Sequence, residues 1–224
     1  MKFGIIKERK NPPDRRVVFT PEELVRLQSE HPEAEIKVES SDIRIFSDDQ
    51  YRNLGLNVTA DMSDCDVLFE VKEVPVDALK KKKKYFFFSH TIKKQPYNRK
   101  LLKAILDKNI ELYDHETIVD ATNHRLIGFG RYAGLVGAYN GFRGFGIKYD
   151  LFTLPKAETL SGKEDLIARL KRQTLPNIKI VLTGHGKVGM GAKEILDGIK
   201  IKQVSVEDFL NKNYTEPVYT QIDV

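Results

Sequence analysis

Two short runs constrain the fold more than anything else in this chain. DVLFEV (66–71) and YFFFS (85–89) are apolar at nearly every position, where a strand with one wet face would alternate. Uninterrupted apolar strands belong to sheets covered on both faces, and such sheets are parallel. KFGII (2–6), EIKVE (35–39) and IELYD (110–114) read as further strands. Amphipathic stretches separate them. PEELVRLQSE (21–30) has Pro in its first turn with acids beside it, and residues 48–54 form a short helix that stops at Gly55. QPYNRKLLKAILDKN (95–109) sets Leu101, Leu102, Ile105 and Leu106 on one helical face. Strands alternating with helices imply crossover connections and a parallel α/β fold.

The stretch RYAGLVGAYNGFRGFGIKY (131–149) carries five glycines. Small residues at Gly134, Gly137, Ala138 and Gly141 on one side of a helix would admit another backbone. A glycine-rich loop is the competing reading, since each glycine lowers helix stability by up to ~1 kcal/mol. We read a linker helix, with a polar segment (155–177) after it and a domain boundary near residue 150. Residues 1–150 then form a substrate domain, and residues 151–224 the first part of a second Rossmann-like domain, incomplete in this chain.

NIKIVLTGHGKVGMGAKEIL (177–196) passes from a strand through Gly184, Gly186 and Gly189 into a helix starting near Val188. In that pattern the first glycine permits the tight turn, the second admits a pyrophosphate, and the third packs helix on strand. Backbone N–H groups at the helix start hold the phosphates. Glu207, 23 residues beyond Gly184 at the end of a predicted strand IKQVSV (201–206), suits a ribose 2′-hydroxyl and hence NAD. His185, inside the motif, reads as an exposed loop residue.

Composition narrows the rest. The 37 basic and 32 acidic residues are interspersed, giving +5 without the Arg-rich aromatic surface of RNA-binding modules, so no nucleic-acid partner is expected. The run Lys80 to Lys84 reads as a solvated approach to a buried strand. No apolar run reaches the ~20 residues of a membrane helix, and the N-terminus shows no secretory signal. One cysteine, Cys65, excludes an internal disulfide framework and suits the cytoplasm. The five histidines do not cluster, so no metal is assigned.

Ligands of open α/β sheets bind outside the carboxyl ends of the strands. Lys72 and Glu73 follow VLFEV, His90 follows YFFFS, and Glu116 follows IELYD. Arg15 and Arg16 follow the first strand, and Arg125 lies in HRLIGF. Cations converging on one rim with acids among them suit an amino acid or dicarboxylate. A lysine and a histidine that depress each other's pKa, with carboxylates opposing, suit proton transfer near neutrality.

The sequence resembles the lysine-forming saccharopine dehydrogenases, within the wider alanine dehydrogenase and transhydrogenase group. The resemblance rests on GIIKERKNPPDRRVVFTPEEL, VLFEVKEVP, FFFSHTIKKQ, LYDHETI and HRLIGFGRYAGLVGAYNGFR, and reaches about residue 207. It implies that Lys72 and His90 are the acid–base pair and that Arg16 and Arg125 bind substrate carboxylates. It further implies that Glu73 and Glu116 tune the pair's charges and that NAD is the cofactor. The implied reaction is oxidation of the saccharopine secondary amine, with hydrolysis of the imine to lysine and 2-oxoglutarate. An alanine-dehydrogenase-like enzyme, or a non-catalytic amino-acid-binding module without the cofactor half, are the alternatives. A small amino-acid substrate and room for a homo-oligomer complete the expectation. Two departures stand out: GHGKVGMGA is a residue shorter than the usual motif and lacks its cysteine, and Arg131, counted here with the substrate groups, replaces an aromatic residue. The family completes its dinucleotide domain with sequence beyond what is present here.

Overall fold

Six strands assemble the first half of the chain. β1 (Lys2–Ile5), β2 (Glu35–Glu39), β3 (Asn57–Thr59), β4 (Val67–Phe69), β5 (Lys84–Phe87) and β6 (Glu111–Asp114) form one sheet in the order β3-β2-β1-β4-β5-β6, every neighbouring pair parallel. The computed structural model describes residues 1–223. The α/β class and the parallel sheet match the sequence expectation, with β3 as an edge strand that the apolar pattern did not reveal. The chain winds outward from β1 to β3, then restarts beside β1 with β4. β1 and β4 therefore flank a topological switch point, where connections leave in opposite directions and open a crevice at the strands' carboxyl ends.

Local signals set the helices. Thr20 caps α1 (Pro21–Glu30) by accepting from the Glu23 N–H, and the Glu23 carboxylate accepts from the Thr20 N–H in return. Ser47 and Gln50 make the same reciprocal pair on α2 (Asp48–Arg52). α3 (Arg99–Asp107) buries Leu101, Ala104 and Ile105, while Leu102 and Leu106 are exposed. The predicted face of Leu101, Leu102, Ile105 and Leu106 is therefore narrower than expected. Only the i, i+3, i+4 stripe meets the sheet, and the next residue round the helix turns to solvent.

Tyr85 and Phe87 are fully buried, but Phe86 between them is only half-buried. Its ring stacks between Phe69 (4.7 Å) and Tyr113 (4.6 Å), a ladder across the opposite sheet face that follows the strand register. The continuous apolar run thus hides two unequal faces, one closed by α3 and one lined by aromatic rings.

Contacts divide the chain into two compact units, Met1–Gly128 and a second from Phe129 onward. The glycine-rich segment is a helix, α4 (Gly130–Lys148), and packs within the second unit. α5 (Lys163–Lys171) lies in the segment expected to be merely polar and buries Leu166 and Leu170. β7 (Lys179–Thr183), α6 (Lys187–Gly198), β8 (Lys202–Gln203), α7 (Val206–Asn211) and β9 (Val218–Ile222) follow. Their sheet is parallel, in the order β7-β9-β8. α4 and α6 cross backbone to backbone. A Cβ on Gly134 would fall 2.0 Å from the Val188 carbonyl oxygen, and one on Gly191 as near that of Arg131. Gly137 and Gly141 face open space, so one of the three predicted small-residue glycines makes the close approach.

Candidate functional site

The crevice between β1 and β4 is built from the loops that leave those strands. Arg16, in the loop after β1, donates from Nε to Asp14 Oδ1 at 2.9 Å and also from Nη2 to Oδ2. The shared hydrogen bonds raise the Arg16 pKa and lower that of Asp14. Lys72, three residues past β4, is half-buried. Burial lowers its pKa first, and the positive charges of Arg16 and Lys10 push the same way, against Asp14 and Glu73. Glu73 accepts from Lys10 Nζ at 3.1 Å.

The next strand delivers His90, which holds a left-handed backbone (φ 56°) that few non-glycine residues adopt. A single 3₁₀ turn, Thr91–Lys93, follows and ends on Lys94 at φ 53°. This tight turn folds Lys93 back over the imidazole, with Nζ 3.2 Å from His90 Nδ1 and 3.2 Å from Glu116 Oε1. His90 Nδ1 lies 3.1 Å from Glu116 Oε2, and Arg125 Nη1 lies 3.4 Å from Glu116 Oε1. Burial raises the Glu116 pKa, but the bonds from His90 and Lys93 outweigh it and hold the carboxyl below its usual range. Glu116 can only accept at Nδ1 and Lys93 can only donate there, so both compete for one ring nitrogen and neither engages Nε2. Beneath, Asp114 accepts from buried Ser89 and from the Glu116 N–H (2.8 Å), which fixes the glutamate on its own loop.

Lys72, Glu73, Arg16, His90, Glu116 and Arg125 therefore all stand on the carboxyl rim of the first unit. Sequence reading overlooked Asp14 and Lys93. Both lie within three residues of a singled-out group, and a scan for opposite or like charges at that spacing would have found them.

The second unit presents a different surface. Gly184 turns at φ 80°, and a Cβ on Gly189 would meet the Gly184 carbonyl oxygen at 2.1 Å, so helix and strand touch as the motif requires. Among the described residues nothing lies within 4 Å of where a Gly186 Cβ would stand, which leaves backbone open to a ligand at the start of α6. These residues fit a dinucleotide pyrophosphate. Glu207 is elsewhere. The predicted strand 201–206 shrinks to Lys202–Gln203, Ser205 caps α7, and Glu207 falls in that helix's first turn. β9, moreover, separates β8 from β7. The acid at the end of the strand beside the glycine loop is Asp223, 3.7 Å from His185 Nδ1, while Gln221 donates to the Gly184 carbonyl at 2.8 Å. Strand order, which the sequence does not display, makes that difference. Arg131 donates from Nε and Nη2 to Glu194 on α6 (2.5 and 2.7 Å), so its guanidinium already holds a carboxylate.

Among the described residues no cluster of His, Cys, Asp and Glu is arranged to hold a metal ion, and no helix is long and apolar enough to cross a membrane. The fold is shared with solved oxidoreductase structures. An L-alanine dehydrogenase superposes with a TM-score of 0.64 at 19% identity, covering 98% of this chain and 60% of that one. A transhydrogenase from Sinorhizobium meliloti gives 0.62 at 18%, covering 89% of this chain and 56% of that one.

Residues 4–136 match the family model described as alanine dehydrogenase/PNT, N-terminal domain, and the chain belongs to that family. Curated relatives include an alpha-aminoadipic semialdehyde synthase of Arabidopsis thaliana, 30% identical over 214 residues (86% of this chain, 20% of the synthase). Another is a saccharopine dehydrogenase [NAD(+), L-lysine-forming] of Yarrowia lipolytica, 26% identical over 192 residues (77% of this chain, 51% of that protein). The chain thus spans about a fifth of the synthase and about half of the dehydrogenase.

Proposed function

We propose that this chain carries the substrate site and the pyrophosphate loop of an NAD-dependent amino-acid dehydrogenase of the saccharopine type. One observation supports this above the others: Lys72 and His90 leave neighbouring parallel strands on one rim, each half-buried among acids and arginines. Arg16 and Arg125 offer two guanidinium groups for a substrate with more than one carboxylate. Lys72, kept less basic by burial and by its cationic neighbours, takes the proton of the substrate's secondary amine. His90, held at Nδ1 by Glu116, moves protons at Nε2 as water adds to the imine and the product amine leaves. Glu73 and Glu116 balance the surrounding positive charge. NAD, bound through Gly184, Gly186 and Gly189, supplies the hydride acceptor. Glu207 was the acid expected at its ribose; the strand order favours Asp223. The cytoplasm is the proposed compartment, on the strength of the single buried cysteine.

A smaller amino acid, as in alanine dehydrogenase, is the second reading, and the shared fold favours it. Reduction of NAD at 340 nm by the complete gene product, offered saccharopine or alanine, separates the two. Saccharopine is expected to be the better substrate. His90→Gln should lower turnover by about 10²–10⁴ with substrate binding retained. Unchanged turnover in that variant would remove His90 from the mechanism.

A further inference from the structure

We infer that Glu8 is a positioning residue for Lys72: its carboxylate clamps the backbone where β4 ends, and so fixes the direction in which the Lys72 amine leaves the sheet. This rests on the proposed role of Lys72 and deepens it.

The last regular rung between β1 and its neighbour is the Ile6 N–H donating to the Phe69 carbonyl at 2.9 Å. Past it, the next backbone needs another acceptor. Glu8 supplies one from the continuation of β1. Its Oε1 accepts from the Val71 N–H at 2.5 Å and its Oε2 from the Lys72 N–H at 3.0 Å. Two successive amides thus enter the two oxygens of one carboxylate, and Glu8 as a residue is only 6% exposed. A carboxylate alone among side chains offers two acceptors in this fork. An amide would turn its NH₂ against one of the two N–H donors.

The neighbouring acids take other partners and leave both amides to Glu8. Glu39 takes the Arg9 guanidinium and the Lys7 N–H. Glu70 is fully buried. Among the described residues its Oε1 accepts from the Arg9 N–H, at 3.2 Å, and its Oε2 has no hydrogen-bond partner. Burial and the adjacent Glu8 push the Glu70 pKa to about 9, so it is neutral at pH 7. Burial raises the Glu8 pKa, and the Val71 and Lys72 amides offset that rise only in part. Arg16 favours the ionised form of Glu8 and Asp14 opposes it. Lys72 in turn feels the charges of Arg16, Lys10, Asp14 and Glu73 from the place where its backbone stands, and Glu8 holds that backbone. Released, the amine swings to solvent and regains ordinary basicity.

Acylation of single lysines by acetic anhydride at graded pH, read by peptide mass spectrometry, tests this on the chain without any cofactor. Lys72 of the parent protein should titrate below the ordinary lysine range. In Glu8→Gln its midpoint should rise toward that range, with roughly three- to tenfold less modification at pH 8. Glu70→Gln should leave the Lys72 profile in place. A folded Glu8→Gln protein with the parent Lys72 profile overturns the inference, even if its melting temperature has dropped. If that variant does not fold, the parent protein decides by nuclear magnetic resonance. The amide protons of Val71 and Lys72 must titrate together with the Glu8 carboxyl carbon, and independent titration overturns the clamp. A fully active Lys72→Met enzyme would sink the functional reading while leaving the acylation result intact. An inactive one with an unmoved Glu8→Gln profile would sink the positioning role alone.

Discussion

The two units use the carboxyl ends of parallel strands in opposite ways. In the first, the loops after β1, β4, β5 and β6 crowd the rim with Arg16, Lys72, His90 and Glu116, and buried acids stand beneath. In the second, the loop after β7 sets three glycines across Gly184–Gly189, where backbone leads into the start of α6. A rim of side chains can be tuned through charge and burial, which proton transfer requires. A rim of backbone cannot titrate, but it holds a fixed anionic shape at no reorganisation cost. The first unit is therefore sensitive to charge changes and the second to volume changes.

The largest break in that comparison should come from volume in the second unit. Gly189→Ala places a methyl 2.1 Å from the Gly184 oxygen and should cost about 3 kcal/mol. Hydrogen exchange should show β7 and β9 losing protection while β1 and β4 keep theirs. Gly186→Ala, which meets nothing within 4 Å among the described residues, should leave that protection unchanged and weaken NADH binding in a fluorescence titration. Equal loss of protection in both variants would show that the loop is constrained throughout, and not only where helix meets strand.

The first unit should answer to pH instead. Glu70 has a pKa of about 9 in the folded chain against an ordinary value of 4.5. Between those values the native state keeps a proton that the unfolded chain has lost, so stability falls as pH rises through that window. Glu70→Gln has no such proton. By pH 6.5 it should be more stable than the parent by on the order of 2 kcal/mol, relative to their difference at pH 5. Thermal melts at the two pH values measure this, and parallel behaviour would mean that Glu70 is not buried as described.

The smallest effect belongs to the Arg131–Glu194 pair, which links α4 to α6 from an exposed position. Arg131→Ala should leave the melting temperature unmoved, because exposed ion pairs are screened and entropically costly to hold. A clear drop would make the pair part of the close α4–α6 crossing, which otherwise depends on Gly134 and Gly191.

Much of the site was legible because its members sit just past strands that advertise themselves. VLF and YFF mark β4 and β5, so Lys72 and His90 could be placed on one rim from order and spacing alone. Glu8 was not legible. It lies in the quoted segment GIIKERK, yet nothing local distinguishes it from Lys7 or Arg9, and its partners are 63 and 64 residues away. Lys93 was missed for another reason: its approach to His90 depends on two left-handed residues, His90 and Lys94, that are not glycine. α5 escaped because its apolar face is narrow, Leu166 and Leu170 amid charged residues.

The sequence by itself determined the alternation of strand and helix, the caps at Thr20 and Ser47, and the turn at Gly184. Each depends on side-chain period or backbone freedom within a few residues. Tertiary structure alone decided which strands are neighbours. That order seats β4 beside β1, so Glu8 reaches Lys72, and β9 between β7 and β8, so Asp223 instead of Glu207 ends the strand beside the glycine loop. Strand order is a property of long-range hydrogen bonding and packing, and no local period encodes it.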